Sequence, residues 1–360
     1  MYNVLVVDDS VFMRKIISDL INSDPQFKVI ATARNGNEAL DKVRIYNPDV
    51  VTLDIEMPIM NGLEALYNIM NKYPRPVIML SAYSQKEAQS TFKAIELGAI
   101  DFVPKPSGEI SLDLNSIRVE ILNKLRSAVQ AKIRKIQAIS RGPISFQPSS
   151  SNRSTNQFIE KILVIASSTG GPRALVEVIP NLPINIDCPI LVVQHMQSGF
   201  TKSFADRLNS LSILPVSEAR QDEIIQNGHV YVAPGDFHMT IVKDPKSKFP
   251  LFRIQLDERE KMLGVRPNAD YLFESAAAIF PNNIVGVVLT GMGRDGSRGS
   301  NLIKNVGGYV ITEDESTSVV FGMPKMAAPY ADMVAPLYDI PQHIITFIRK
   351  LNKKEQRKKN

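Results

Sequence analysis

Leu163-Val164-Ile165-Ala166-Ser167-Ser168-Thr169-Gly170-Gly171-Pro172 reads as a buried strand that stops at a tight turn and opens into a helix. The apolar run ends abruptly in two serines, a threonine and two glycines, and Pro172 has the fixed φ that suits a helix's first turn. A hydroxyl on such a turn stands clear of the sheet, beside helix N-terminal N–H groups that lack partners inside the helix. An α/β protein would place a nucleophile there, or hold an anion.

The same alternation runs along most of the chain. In residues 1–105, short β-branched runs at 4–7, 29–33, 50–53, 77–80 and 100–103 alternate with helical patterns near 12–22, 36–46, 62–72 and 86–97. Five β/α units predict a doubly wound parallel sheet covered by helices on both faces. A further helix is predicted near 113–139, with Ile117, Ile121, Leu125, Val129, Ile133 and Ile136 at helical spacing. The Ser/Pro/Asn-rich stretch 141–157 then reads as a linker. From Ile159 a second α/β series begins, with strands predicted at 161–166, 189–194, 213–217, 229–233, 284–290, 308–312 and 333–336. A β-hairpin insertion is predicted near 236–256, where it is expected to fill a sheet edge rather than touch substrate. The division is therefore 1–120 for a first domain, 121–157 for a linker helix and linker, 158–350 for a second domain and 351–360 for a basic tail.

Bulk properties agree with two globular domains: 360 residues, 44% hydrophobic and 22% charged. Cys188 is the one cysteine, so no internal disulfide forms, which fits a cytoplasmic setting. No signal peptide is read at the start, and no apolar run approaches a membrane span. The net charge of +5 is partly local: the tail from Arg349 to Lys359 carries much of it and reads as a solvated helix end rather than as a surface for an acidic partner.

Carboxylates build the first site. Asp8 and Asp9 follow the first strand, Asp54 ends the third, and the carboxyl ends of parallel strands share one rim. Three such carboxylates repel unless a cation sits among them, and their oxygens suit Mg²⁺. Ser81 ends the fourth strand and Lys105 follows the fifth, adding a hydroxyl and a cation suited to phosphate oxygens. This pattern points to Asp54 accepting a phosphoryl group.

These pieces make residues 1–106 resemble a two-component receiver domain: Val6-Val7-Asp8-Asp9-Ser10, Leu53-Asp54-Ile55-Glu56-Met57-Pro58, Met79-Leu80-Ser81-Ala82 and Gly98-Ala99-Ile100-Asp101-Phe102-Val103-Pro104-Lys105-Pro106. The resemblance implies a flavodoxin-like (βα)5 fold, Asp54 as phosphoacceptor, and Mg²⁺ at Asp8, Asp9 and Asp54. It also implies Ser81 and Phe102 as a switch pair, Lys105 as a phosphate contact and a histidine kinase as phosphodonor.

A serine at 167–168 needs a base. Of the four histidines, His195 follows the apolar run 189–194 and so lies at a strand's carboxyl end, whereas His229, His238 and His343 sit in or beside less buried patterns. The loop Leu289-Thr290-Gly291-Met292-Gly293-Arg294-Asp295-Gly296 follows another apolar strand. Asp295 there can orient the imidazole, and the N–H of Met292 can face a developing oxyanion. The rival reading, a phosphate cradle at 167–171, lacks both a P-loop lysine and G-x-G-x-x-G.

Residues 160–337 resemble the catalytic domain of the chemotaxis protein-glutamate methylesterase family, of CheB type. The matching pieces are Ser167-Ser168-Thr169-Gly170-Gly171-Pro172, Gln194-His195-Met196, Phe200-Thr201-Lys202-Ser203-Phe204-Ala205, Tyr231-Val232-Ala233-Pro234-Gly235-Asp236, Arg266-Pro267, the 289–296 loop and Val320-Phe321-Gly322-Met323-Pro324. The family commonly has Gly where Ala166 stands. The resemblance implies Ser168 as nucleophile, His195 as general base and acid, and Asp295 as the orienting acid. It implies hydrolysis of γ-glutamyl methyl esters on the cytoplasmic helices of chemoreceptors, with glutamine deamidation in some members, no cofactor for hydrolysis, and activation by phosphorylation of the receiver. A monomer that inserts in no membrane and binds no nucleic acid is expected, since 160–337 shows no helix-turn-helix pattern. The alternatives are a non-catalytic receptor-binding regulator and an esterase for another methylated protein.

Overall fold

Strands whose residues are apolar on both faces belong in the middle of a parallel sheet, and both sheets of this protein are built that way. A computed structural model describes residues 1–82, 85–105, 114–131, 158–245, 247 and 250–359, with the side chains of 85–87, 114–116 and 352–359 outside the description. The chain divides into two compact units, Met1–Ile139 and Ser140–Asn360.

In the first unit β1 (Tyr2–Val7), β2 (Phe27–Ala33), β3 (Val50–Asp54), β4 (Val77–Ser81) and β5 (Asp101–Pro104) form one sheet in the order β2-β1-β3-β4-β5, parallel throughout. The helices are α1 (Val11–Asn22), α2 (Gly36–Tyr46), α3 (Gly62–Lys72), α4 (Gln85–Glu96) and α5 (Leu114–Gln130). Side chains that favour helix starts open three of them: Ser10, Asn35 and Asn61 accept from the N–H groups of Met13, Glu38 and Glu64. The winding reverses at β1 and β3, so the acids after β1 and at the end of β3 flank the gap where such sheets bind ligands. The helix predicted over 113–139 is α5; Ile133, Ile136 and the linker 141–157 lie outside the described residues.

In the second unit β6 (Ile162–Ser167), α6 (Gly171–Val178), β7 (Ile190–Gln194), α7 (Phe200–Leu211), β8 (Val216–Glu218) and β9 (Val230–Val232) come first. The hairpin β10 (His238–Lys243) and β11 (Phe252–Asp257) follows, then α8 (Ala269–Ile279), β12 (Ile284–Val288), α9 (Ser297–Asn305), β13 (Tyr309–Glu313), α10 (Met323–Ala327), β14 (Met333–Ala335) and α11 (Ile340–Lys359). Seven strands make one parallel sheet in the order β14-β13-β12-β6-β7-β9-β8. From β6 the chain winds toward β8, and from β12 it winds the other way, so the reversal lies between β6 and β12. The basic stretch 351–359 continues α11.

The hairpin departs from expectation. It fills no edge of the large sheet; β10 and β11 pair with each other as a separate antiparallel ribbon, and β11 adds an isolated antiparallel bridge from Arg253 to Ile224. Its inward face carries Met239, Ile241, Phe252 and Ile254, which join Leu272, Phe273 and Ala276 of α8 over Val164 and Val193 of the sheet. The alternation in the sequence shows a ribbon with one apolar face; that face is satisfied by a helix and not by another strand. Ile254→Ala should therefore cost about 2–5 kcal/mol in the unfolding of the second unit, measured by denaturant titration. A cost below about 1 kcal/mol, the range for exposed sites, would contradict this packing.

Candidate active site

Parallel register delivers the residues of the site to one rim. Ser167 pairs with Gln194 at the ends of β6 and β7, so Ser168 and His195 are the next residues of each strand. The His195 N–H donates to Ser167 O at 3.0 Å, and on the other side the Ser168 N–H donates to Thr290 O at 3.0 Å, just past β12. Ser168 thus stands between the β7 and β12 ends, beside the winding reversal. Gly291 runs so close that a Cβ there would lie 2.7 Å from Ser168 Cβ, which admits only glycine.

Asp295 arrives from the loop after β12. His195 Nε2 lies 2.7 Å from Asp295 Oδ2. The same oxygen accepts the Ala269 N–H at 2.7 Å, and Oδ1 accepts those of Asp270 at 3.0 Å and Gly296 at 2.9 Å. Ala269 and Asp270 open α8, so the carboxylate sits on a helix N-terminus, where the dipole favours negative charge. Burial alone would raise this carboxyl; the hydrogen bond and charge of His195 and the two α8 N–H groups outweigh it and hold it below the usual carboxylate range. The Ser168 hydroxyl makes no hydrogen bond among the described residues, and 8% of the residue is exposed, enough for a reagent to reach it.

Ser167 is differently employed. Its hydroxyl donates to Gln194 Oε1 at 2.7 Å, and Gln194 Nε2 donates to the carbonyls of Ser168 and His195 at 3.0 and 2.9 Å. One buried amide therefore ties the two turns together. Thr290 does the same on the β12 side: its hydroxyl donates to Thr169 O at 2.9 Å and accepts from Val320 N at 2.9 Å. Its own N–H donates to Glu313 Oε2 at 2.8 Å. Glu313 ends β13 wholly buried, and burial pushes its carboxyl up to about 7. Sequence reading missed Gln194, Thr290 and Glu313 in these roles; the available signal was a polar residue at or just past the end of a buried strand, with Gln194 closing β7 and Glu313 closing β13. Ala166 lies buried within β6, and the left-handed backbone of this turn falls at Gly170, φ 80°, so the turn makes no demand for glycine at 166.

In the loop after β12 the Gly291 N–H donates to Val320 O at 3.0 Å, and Met292 is the next residue along. The other histidines are elsewhere. His229 precedes β9 at the opposite rim, with Nε2 2.8 Å from Ser217 Oγ. His238, expected in a less buried pattern, is wholly buried, its Nε2 3.1 Å from Glu260 O and its ring edge-on to that of Tyr271.

In the first unit Asp8, Asp9 and Asp54 offer carboxylate oxygens that all lie within 4.8 Å of one another. Lys105 Nζ sits 2.7 Å from Asp54 Oδ1 and 3.1 Å from Asp8 Oδ2. Burial pushes the Asp54 carboxyl up to about 6, Asp8 and Asp9 adding to the effect and Lys105 opposing it. Burial would lower Lys105, but the Asp54 and Asp8 carboxylates hold it above its ordinary value. Asp54 Oδ2 is buried without a hydrogen-bond partner, and a carboxylate oxygen so placed suits a hard cation. Arg14 Nη1 pins the Asp8 and Asp9 carbonyls at 2.7 and 2.9 Å. The Ser81 hydroxyl accepts from Thr91 Oγ1 of α4 at 2.8 Å, and Phe102 packs edge-on against Phe92 of the same helix.

The receiver-domain model for response regulators matches residues 4–114, and the model of the CheB methylesterase matches residues 163–344. A protein-glutamate methylesterase/protein-glutamine glutaminase of Pyrococcus abyssi is 47% identical over 95% of this chain and 92% of its own. A protein of the same description from Thermotoga maritima is 46% identical over 96% of this chain and 98% of its own. The crystal structure of the Thermotoga maritima CheB methylesterase catalytic domain superimposes with a TM-score of 0.50 at 48% identity, covering 52% of this chain and 99% of that one. A receiver sheet with an acidic pocket, followed by a parallel α/β unit that matches over half the chain, places this protein in the CheB methylesterase family.

Proposed function

We propose that this protein hydrolyses γ-glutamyl methyl esters on the cytoplasmic helices of chemoreceptors, with Ser168 as nucleophile, His195 as base and acid, and Asp295 as the group that orients the imidazole. The observation that carries the reading is the His195–Asp295 pair held one strand away from Ser168. With Nε2–H directed at Asp295, Nδ1 is the ring nitrogen left to take the Ser168 proton. Ser168 Oγ then bonds to the ester carbonyl carbon, and the negative oxygen is met by the N–H of Met292. Thr169 N–H, which follows the nucleophile and makes no hydrogen bond among the described residues, is suited to be the second donor. Collapse breaks the C–O bond to the methoxy group, His195 returns its proton, and methanol leaves. Water attacks the acyl-serine by the same route in reverse, leaving a glutamate side chain and free Ser168. A glutamine amide would give ammonia in place of methanol, in line with the double description of the relatives.

Control comes from the receiver. Asp54 accepts a phosphoryl group from the phosphohistidine of a chemotaxis kinase. Asp8, Asp9 and Asp54 would hold Mg²⁺, whose charge neutralises the group in transfer. Lys105 binds the phosphoryl oxygens, and Ser81 turns from Thr91 toward them, which alters the hold of β4 on α4 and biases the receiver between two arrangements.

Three measurements test the reading. Methanol release from methylated receptor membranes should fall at least about 10³-fold in Ser168→Ala; activity within tenfold of the wild type would contradict the mechanism. A small phosphodonor should raise the rate in the full chain and not in Asp54→Asn, and removal of residues 1–150 should raise the basal rate. A basal rate unchanged or lowered in a well-folded fragment would contradict control by the receiver.

A further inference from the structure

Asp295 is held by the first N–H groups of α8, and one of the two residues supplying them, Asp270, sends its own side chain the other way. Asp270 Oδ1 accepts the N–H of Gly299 at 2.8 Å, in the first turn of α9. That helix has no side-chain cap of its own, for Gly296 stands at its N-cap. The two helix N-termini therefore clasp each other. The carboxylate before α9 caps α8, and a carboxylate in the first turn of α8 caps α9. The helices meet closely enough for this because a Cβ on Gly299 would lie 2.3 Å from Phe273 Cβ.

We propose that Asp270 is a positioning residue for the Asp295–His195 pair: it locks Asp295 through the clasped helices and lends its negative charge to the imidazolium that forms during turnover. The proposal rests on the catalytic reading given above and extends it to a residue outside the triad. Asp270 faces Asp295 from the loop, Arg298 from α9 and Glu274 from its own helix, and reaches His195 only through Asp295. Burial pushes its carboxyl from 3.8 to about 6, with Asp295 adding to the rise. A carboxyl raised on folding costs stability as pH climbs from 3.8 to about 6, and the full cost persists above that. An amide of the same shape would accept from Gly299 without that cost. A charge kept at the expense of stability beside a reacting pair is the pattern of a functional residue.

Asp270→Ala, which removes the clasp, should lower kcat at least tenfold with KM within about twofold of the wild type. Asp270→Asn keeps the acceptor and loses the charge. It should melt higher than the wild type at pH 7.5, while the acid limb of its kcat/KM profile moves to lower pH by about 0.3 unit or more. An unmoved acid limb in Asp270→Asn overturns the proposal even where Asp270→Ala fails to fold, and so does an unchanged kcat in a folded Asp270→Ala. Ser168→Ala assayed alongside separates the two readings. If Ser168→Ala stays active, the catalytic reading itself has failed; if it is inactive while the Asp270 variants behave as wild type, the clasp alone has failed.

Discussion

Everything at the candidate active site depends on one constraint: parallel strands all end on the same rim, and a sheet that winds in two directions leaves a gap at the reversal. In the second unit that gap lies between β6 and β12. Ser168 follows β6, His195 follows β7 beside it, and the 289–296 loop follows β12 across the gap. No long-range folding of a loop is needed to bring three chemistries together, because the register of neighbouring strands does it. What the register leaves open is orientation. That is supplied by buried polar groups: the Gln194 amide between the β6 and β7 turns, Thr290 between the β6 and β12 turns, and the α8 N-terminus beneath Asp295.

The first unit uses the same topology for different chemistry. Its reversal, between β1 and β3, collects carboxylates and a lysine instead of a hydroxyl and an imidazole. At both rims burial and partners push carboxyls in opposite directions. Asp54 is raised by burial, with Asp8 and Asp9 adding to it, whereas Asp295, also buried but met by His195 and two helix N–H groups, is held below the usual carboxylate range. In the proposed function one acid receives a phosphoryl group and the other steadies a positive charge.

Much of this was legible in the sequence because its signals are local. A run such as Ile284–Val288, apolar on both faces, has few homes except the centre of a parallel sheet, and the residues just beyond such runs must lie on the rim. Ser168, His195, Asp54 and Lys105 are all read that way. The placement of the hairpin was not legible, since alternation reveals an apolar face without naming what covers it. Nor was the burial of His238 or Glu313, as a polar residue at the end of a strand looks like a solvated rim residue until its neighbours are known. Asp270 is hidden for another reason. An acid in the first turn of a helix is already explained by the helix dipole, and its bond to Gly299 spans 29 residues of sequence.

The central claim is that Ser168, and not its neighbour Ser167, carries the reactive hydroxyl, because Ser167 is committed to Gln194 while Ser168 is presented beside the His195–Asp295 pair. The most direct test is to treat the full chain with a fluorophosphonate and map the adduct by peptide mass spectrometry. The account predicts a single phosphonyl group on Ser168, lost in His195→Ala. An adduct on Ser167, or no adduct on a protein that releases methanol from its substrate, would contradict it.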